Sequence, residues 1–307
     1  MKNITTLSGS HLSYGWNNHL KPALIVDPGV EVEIELVDAG GGQIHPKSTI
    51  EDVVSLDFGK INPVTGPIYI NGASPKDTLV VEILGFEGSN WGWTAIIPGF
   101  GLLADEFSAP FLQLSTYDDQ WIYYTPEIKL PYRPFPGTIG VAPAETGVQS
   151  IVFPRSCGGN MDIRDLTIGS KLYLPVQVEG ALFSAGDGHA AQGDGEVCGT
   201  AVETPLKMRV RFGLQKAGNL AYPQFETSPT SAIKEACYYV TTGIAGDLMD
   251  AAKDAIRYMI DYLCKEYQMS AELAYSLCSV AVDLRISEVV DAPKWIVTAH
   301  LNKSIFI

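Results

Sequence analysis

With 307 residues, 46% of them hydrophobic, the chain is long enough for one large domain or two ordinary ones, which excludes a disordered protein. Its 35 acidic against 21 basic residues give a formal charge of −14, a field that repels phosphate chains, so nucleic acid is not expected as a partner. No apolar run approaches the roughly 20 residues that cross a bilayer, Met1-Lys2-Asn3-Ile4 opens neither a signal nor a transit peptide, and the cysteines (Cys157, Cys198, Cys237, Cys264, Cys278) show no CxxC spacing. These features predict a cytoplasmic protein without membrane contact, its thiols reduced.

From Val30 to Asp38 the sequence alternates with period two, Val30, Val32, Ile34 and Leu36 on one face and Glu31, Glu33 and Glu35 on the other, which predicts a half-buried strand. One further step puts Asp38 on the apolar face, where a lone carboxylate needs a partner or a metal; alternatively the strand stops at Val37 and Asp38 opens the loop Ala39-Gly40-Gly41-Gly42-Gln43. Strand signals recur at 67–71, 78–86, 171–179, 198–203 and 207–214. They are separated by turns such as Ser74-Pro75-Lys76-Asp77 and Phe135-Pro136-Gly137. This texture predicts an antiparallel sandwich or barrel, not βαβ repeats, and no 20 to 50 residue period suggests a solenoid or propeller.

Between Gln215 and Gly246, Pro223, Pro229 and several Ser/Thr residues indicate loops but no long linker. Asp247 is placed to cap a helix running to about Tyr267, with Met249, Ala252, Ile256, Ile260 and Leu263 as its core stripe. Ser270 caps a second helix to about Val280, and 295–301 reads as a closing strand. The expectation is therefore one compact unit over 1–307: a mainly β part over about 1–215 and a C-terminal α+β extension over about 216–307.

The densest concentration of chemistry is Gly186-Asp187-Gly188-His189-Ala190-Ala191-Gln192-Gly193-Asp194-Gly195-Glu196, four glycines, two aspartates, a glutamate and one of five histidines in a row. It reads either as a tight hairpin with solvated acids or as a metal loop. In extended backbone Asp187 and His189 share a face and can share an ion. A turn at Gly193-Asp194 would pair Ala191 with Glu196 and His189 with Cys198, bringing Glu196 back as a further ligand or as the general base. Gly158-Gly159-Asn160-Met161-Asp162 repeats the alternation, as an Asx turn or as a polar site. Both clusters flank the predicted strand 171–179, which would let them meet. Trp91-Gly92-Trp93 and Phe100 bracket Pro98-Gly99 and offer an apolar pocket wall, with core packing as the alternative. Other chemistries lack support: there is no Gly-x-Ser-x-Gly elbow, no GxGxxG and no Walker A sequence. Cys157 reads as a buried structural thiol, and His11, His19, His45 and His300 as surface or core residues.

Together with Gly66-Pro67-Ile68, Trp91-Gly92-Trp93-Thr94, 135–143 and Asp283-Leu284-Arg285-Ile286-Ser287, these two clusters resemble the acetamidase/formamidase family over nearly the whole chain. The resemblance implies a β-sandwich of jelly-roll type, a homodimer or higher homo-oligomer, and hydrolysis of a short aliphatic amide to ammonia and the carboxylate. By position Asn160, Asp162, Asp187, His189 and Glu196 match the family's polar core, and Asp38 with Gln43 its early Asp and Gly-Gln pattern. The chain lacks the long mid-sequence insertions of larger formamidases, which leans the substrate toward acetamide or another small amide. Glu196 and Asn160 are expected to be catalytic, as proton shuttle and oxyanion holder. Trp93 and Phe100 should contact substrate, and Asp187, His189, Asp162 and Asp38 should hold a divalent metal, zinc if the histidine set binds it, calcium if oxygens dominate. The alternatives are a non-enzymatic, metal-stabilised jelly-roll binding module and a metal-dependent hydrolase of a small ester or lactone.

Overall fold

A computed structural model describes residues 4–228, 237–303 and 306; Pro229 lies outside the described residues. The chain is mainly β and builds two large sheets. The first holds nine strands in the spatial order Thr5–Leu7, Glu31–Leu36, Leu206–Gln215, Thr78–Gly88, Lys171–Pro175, Gln224–Glu226, Tyr238–Ala245, Trp295–Asn302 and Val282–Glu288. The second carries the sequence Phe111–Tyr117, Trp91–Ile96, Val202–Glu203, Phe183–Ala191, Phe135–Gly140 and Gly158–Asn160. The pairings are antiparallel apart from two short parallel ones at the N-terminal end. One apolar core joins the sheets, with Val32, Ile34, Leu36, Val81, Ile83, Met208 and Val210 from the first and Ile139, Phe183 and Ala185 from the second.

The alternating segment behaves as its period requires: Glu31–Leu36 buries every second residue. The strand stops at Leu36, so Asp38 stands outside it, yet Asp38 is fully buried. The predicted strand 171–179 ends at Pro175, and 198–203 shrinks to Val202–Glu203 because the preceding residues form a loop. Tyr238–Ala245, buried on both faces through most of its length, shows no period-two signal and was not anticipated.

Asp247 caps the helix Leu248–Tyr267 by accepting from the Asp250 backbone N at 3.0 Å. Of the expected stripe only Leu263 is fully buried; Ala251, Ala255 and Met259, each one step away, complete the inward face, whereas Met249 is 65% exposed and Ala252, Ile256 and Ile260 pack at the margin. The reason is close approach. Thr241 Oγ1 donates to the Ala255 carbonyl at 2.7 Å, and a Cβ on Gly243 would meet the Ala251 carbonyl, so only small residues fit where the helix meets the sheet. Among the described residues no helix is long and apolar enough to cross a membrane.

His11, His19 and His45 are exposed, and His300 is core. His300 Nε2 bonds to Thr298 Oγ1 at 2.9 Å between the edges of Phe225 and Tyr238, and burial pushes its pKa down to about 3. Below the unfolded value near 6.5, the unfolded chain takes up a proton that the folded chain refuses. Stability is therefore lost as pH falls from about 6.5 toward 3, and the residue is neutral to stability above pH 7. His300→Asn should remove about 2 kcal/mol of the drop in unfolding free energy between pH 7 and pH 5. Parallel denaturant titrations at the two pH values check this, and an identical drop in both proteins would refute it.

Candidate active site

The site is organised by Phe135–Gly140, which pairs with Gly158–Asn160 on one side and Phe183–Ala191 on the other, with Thr138 opposite both Asn160 and Gly186. The two clusters singled out in the sequence do meet, but across this strand; the strand Lys171–Pro175, expected to lie between them, belongs to the other sheet. Gly137 makes the meeting possible. A Cβ there would stand 2.5 Å from Asp162 Oδ1, 2.6 Å from Asp187 Oδ2 and 2.7 Å from His189 Cε1, while the Gly137 carbonyl accepts from the Met161 and Asp162 backbone N. Gly137→Ala is expected to displace all three side chains and lower turnover at least 100-fold, as small misplacements of reacting groups do. Wild-type kcat in this variant would contradict the geometry.

Asp162, Asp187 and Glu196 all hold the left-handed conformation, at φ +49, +57 and +47. For non-glycine residues this costs roughly 1–2 kcal/mol each and occurs where surrounding structure enforces it, often at functional sites. At Asp187 the cause is visible: its backbone N donates to the Val37 carbonyl at 2.8 Å, which sets the neighbouring Asp38 beside it. Asp38 Oδ1 accepts from the Gly40 N at 2.9 Å and from Trp93 Nε1 at 3.3 Å, and Gln43 braces this loop through the Gly40 carbonyl and the Asp57 N. Glu196 sits on the loop 192–201, which is docked by the Gly195 N on the Ser287 carbonyl at 2.9 Å.

The hairpin register differs from the expected one. His189 pairs with Glu203 and Ala191 with Val202, so ten residues loop out where a two-residue turn was expected. Glu196 still returns to the site: carboxylate oxygens of Asp162 and Glu196 and a His189 ring nitrogen lie within 4.8 Å of one another. Asp187, His189 and Glu203 form a second such group, with His189 Nε2 at 3.0 Å from Asp187 Oδ1 and 3.2 Å from Glu203 Oε2. The other ring nitrogen, Nδ1, faces Asp162 Oδ1 at 3.9 Å.

Asn160 is fully engaged. Its Oδ1 accepts from the Thr138 hydroxyl, and its Nδ2 donates to the Val152 carbonyl at 3.0 Å and to Asp291 Oδ2 at 2.5 Å. Both amide hydrogens are thus committed to the chain, which suits a positioning role better than the expected oxyanion contact. Trp93, Phe100, Asn160, Asp162, Asp187 and Glu196 line one cavity of about 50 Å³, which Asp38 and His189 do not line. Leu56, Phe58 and Ile97 complete the apolar side.

Sequence reasoning missed Glu203, Glu288 and Asp291. Asp291 lines the cavity, and its backbone N donates to Glu288 Oε1 at 2.6 Å. With them the site gathers seven buried carboxyl groups, Asp38, Asp162, Asp187, Glu196, Glu203, Glu288 and Asp291, around a single imidazole. Burial lifts Asp38 to about 6 and Glu203 and Glu288 to about 7. Asp162, Glu196 and Asp291 are held well above the carboxylate range, by burial first and then by a neighbouring charge, Asp187 acting on Asp162 and Asp162 on the other two. Burial opposes a charge on His189, but Glu203 and Asp187 together outweigh it and raise the imidazole well above its ordinary value. Cys157, by contrast, is a buried thiol pushed up to about 12, as a structural cysteine should be.

The profile of the acetamidase/formamidase family matches residues 6–151 and 144–307. The chain belongs to this family. Within it, the formamidase of Methylophilus methylotrophus is 31% identical, the match covering 95% of this chain and 88% of that protein. The crystal structure of a predicted acetamidase/formamidase from Thermoanaerobacter tengcongensis superposes with a TM-score of 0.91 at 32% identity, covering 98% of this chain and 96% of that one. The gamma lactamase from Delftia acidovorans superposes at 0.70 with 28% identity, over 96% and 89% of the two chains. An acetamidase/formamidase fold thus carries every residue of the carboxylate pocket.

Proposed function

We propose that the protein hydrolyses short aliphatic amides, acetamide or formamide, to ammonia and the carboxylate with the help of a divalent metal ion. The observation that carries the metal is His189 Nε2, flanked by two buried carboxylate oxygens at 3.0 and 3.2 Å. One N–H can serve only one of them, and Glu203 Oε2 finds no hydrogen-bond partner; neither do Asp38 Oδ2, both Asp162 oxygens or His189 Nδ1. Buried polar groups left in this state are costly, whereas a cation between Asp187, His189 and Glu203 would satisfy all three. A nitrogen-and-oxygen donor set of this kind suits zinc; calcium would draw on the carboxylates alone. Bound there, the ion would supply Lewis-acid polarisation of the amide carbonyl and a more acidic water.

The chain's own residues supply the rest. With Nε2 turned to an ion, the ring proton would reside on Nδ1, and the Asp162 carboxyl 3.9 Å away would favour it there by charge alone. Glu196, held well above the usual carboxylate range by burial and by Asp162, lines the cavity and is the group we assign to take a proton from the attacking water and return it to the departing ammonia. Asn160 holds Asp291 at the cavity wall. Trp93 spends its N–H on Asp38 and presents its ring, with Phe100 and Ile97, as the wall for the acyl group. About 50 Å³ of space holds roughly four water-sized groups, the size of acetamide.

Ammonia release over formamide, acetamide and propionamide tests this reading, and no ammonia from any of them would sink it. The structural kinship to a lactamase favours including a γ-lactam in the panel as a second substrate type. A metal-stapled binding module would instead lose thermal stability on chelation with no ammonia released before or after.

A further inference from the structure

A cavity of about 430 Å³ adjoins the carboxylate pocket across the loop 192–201, and Glu196 and Thr200 line both. Its chemistry is the reverse of its neighbour's. Arg133, Arg164 and Asp194 line one part and Leu130, Val197 and Val202 another. Arg164 Nη2 pairs with Asp194 Oδ2 at 3.0 Å, but Asp165 is divided between two guanidinium groups, Arg285 at 3.3 Å and Arg133 at 3.6 Å. Around this cavity three arginines, Arg133, Arg164 and Arg285, therefore meet two aspartates, with Glu196 as a third acid at the rim. Arg133 Nη2 and Arg164 Nε are buried without a hydrogen-bond partner. Glu196, the remaining acid at the rim, belongs to the acidic group of the adjoining pocket.

We propose that this cavity is a binding site for a short alkyl carboxylate, its head on Arg133 and Arg164 and its tail along Leu130, Val197 and Val202. Guanidinium donors match a carboxylate in geometry as well as charge, and the apolar wall distinguishes an alkanoate from a bare inorganic anion. An occupant would touch the loop that carries Glu196. If the reaction proposed above is correct, on which this link rests, the occupant is of the product's own class and holds that loop in place after turnover.

Calorimetric titration of sodium butyrate into the metal-loaded protein, with chloride balancing ionic strength, tests the site. Arg133→Gln and Arg164→Gln should each weaken one set of butyrate sites at least tenfold, leaving bound metal at the wild-type value. Arg164→Lys, which keeps charge but loses the planar fork, should fall between. Absence of butyrate binding in the wild type, or equal binding in all four proteins, would overturn the site. Equal affinity for sulfate and butyrate would overturn the alkyl assignment. The titration reads no ammonia: failure of amide hydrolysis removes only the product link, whereas ammonia release without arginine-dependent butyrate binding removes only this site.

Discussion

Glu196→Gln is expected to lower kcat for acetamide by about 10²–10⁴-fold, the usual contribution of a positioned general base, while bound metal stays at the wild-type level. The substitution keeps the side chain's volume and its place on the loop 192–201 but removes the acceptor that moves the proton. Asn160 cannot replace it, being hydrogen-bonded at every polar atom, and Asp291 is held by Asn160 Nδ2. The competing role follows from the grouping of Glu196 with Asp162 and His189. Were Glu196 chiefly a ligand, the variant would lose metal along with turnover, so metal content measured beside kcat separates the two roles. KM should change little, because the apolar wall that seats the acyl group is formed by Trp93, Ile97 and Phe100.

Glu203→Gln should act on stability in opposite directions depending on the ion. Glu203 is fully buried, and its pKa is lifted to about 7 from 4.5, by burial above all. In the metal-free protein its ionisation therefore weakens the fold as pH rises from about 4.5 to 7, and the neutral variant escapes that loss. At pH 8 metal-free Glu203→Gln should be more stable than metal-free wild type, by about 1–3 kcal/mol. In the presence of ion the order reverses, since wild type gains about 4.1 kcal/mol at a free-ion concentration of about 1,000 Kd and the variant binds weakly. Turnover should fall at least 100-fold. Thermal unfolding with and without chelator checks the sign in each state, and a variant less stable in both would refute the assignment of Glu203 as an ion-facing carboxylate.

How far the sequence reveals this site depends on whether its residues are local. Asp187 and His189 lie within eleven consecutive residues whose composition is unusual, and Asn160 and Asp162 repeat their alternation, so both pairs are legible without coordinates. Asp38 is legible through the period of the strand before it, although its burial comes from the Val37 to Asp187 contact instead of from the strand itself. Glu203 is hidden by the loop 192–201: a Gly-Asp turn predicts His189 opposite Cys198, and the real partner lies five residues further on. Asp291 carries no local signal and reaches the pocket because the last strands form the far edge of the nine-stranded sheet. In the fold, the Asp247 cap is legible from one side chain, whereas Tyr238–Ala245, buried on both faces, lacks the alternation that marks Glu31–Leu36.

The central claim is that a divalent ion at Asp187, His189 and Glu203 makes this an amidase. Its most direct test is ammonia release from acetamide measured against bound metal, after exhaustive chelation and stepwise return of zinc. Activity should be lost on chelation and recover in proportion to bound ion, with no recovery in His189→Ala. Undiminished ammonia release from protein with less than about 0.05 equivalents of any divalent metal would contradict it, since an ion that supplies several kcal/mol of transition-state stabilisation cannot be dispensable.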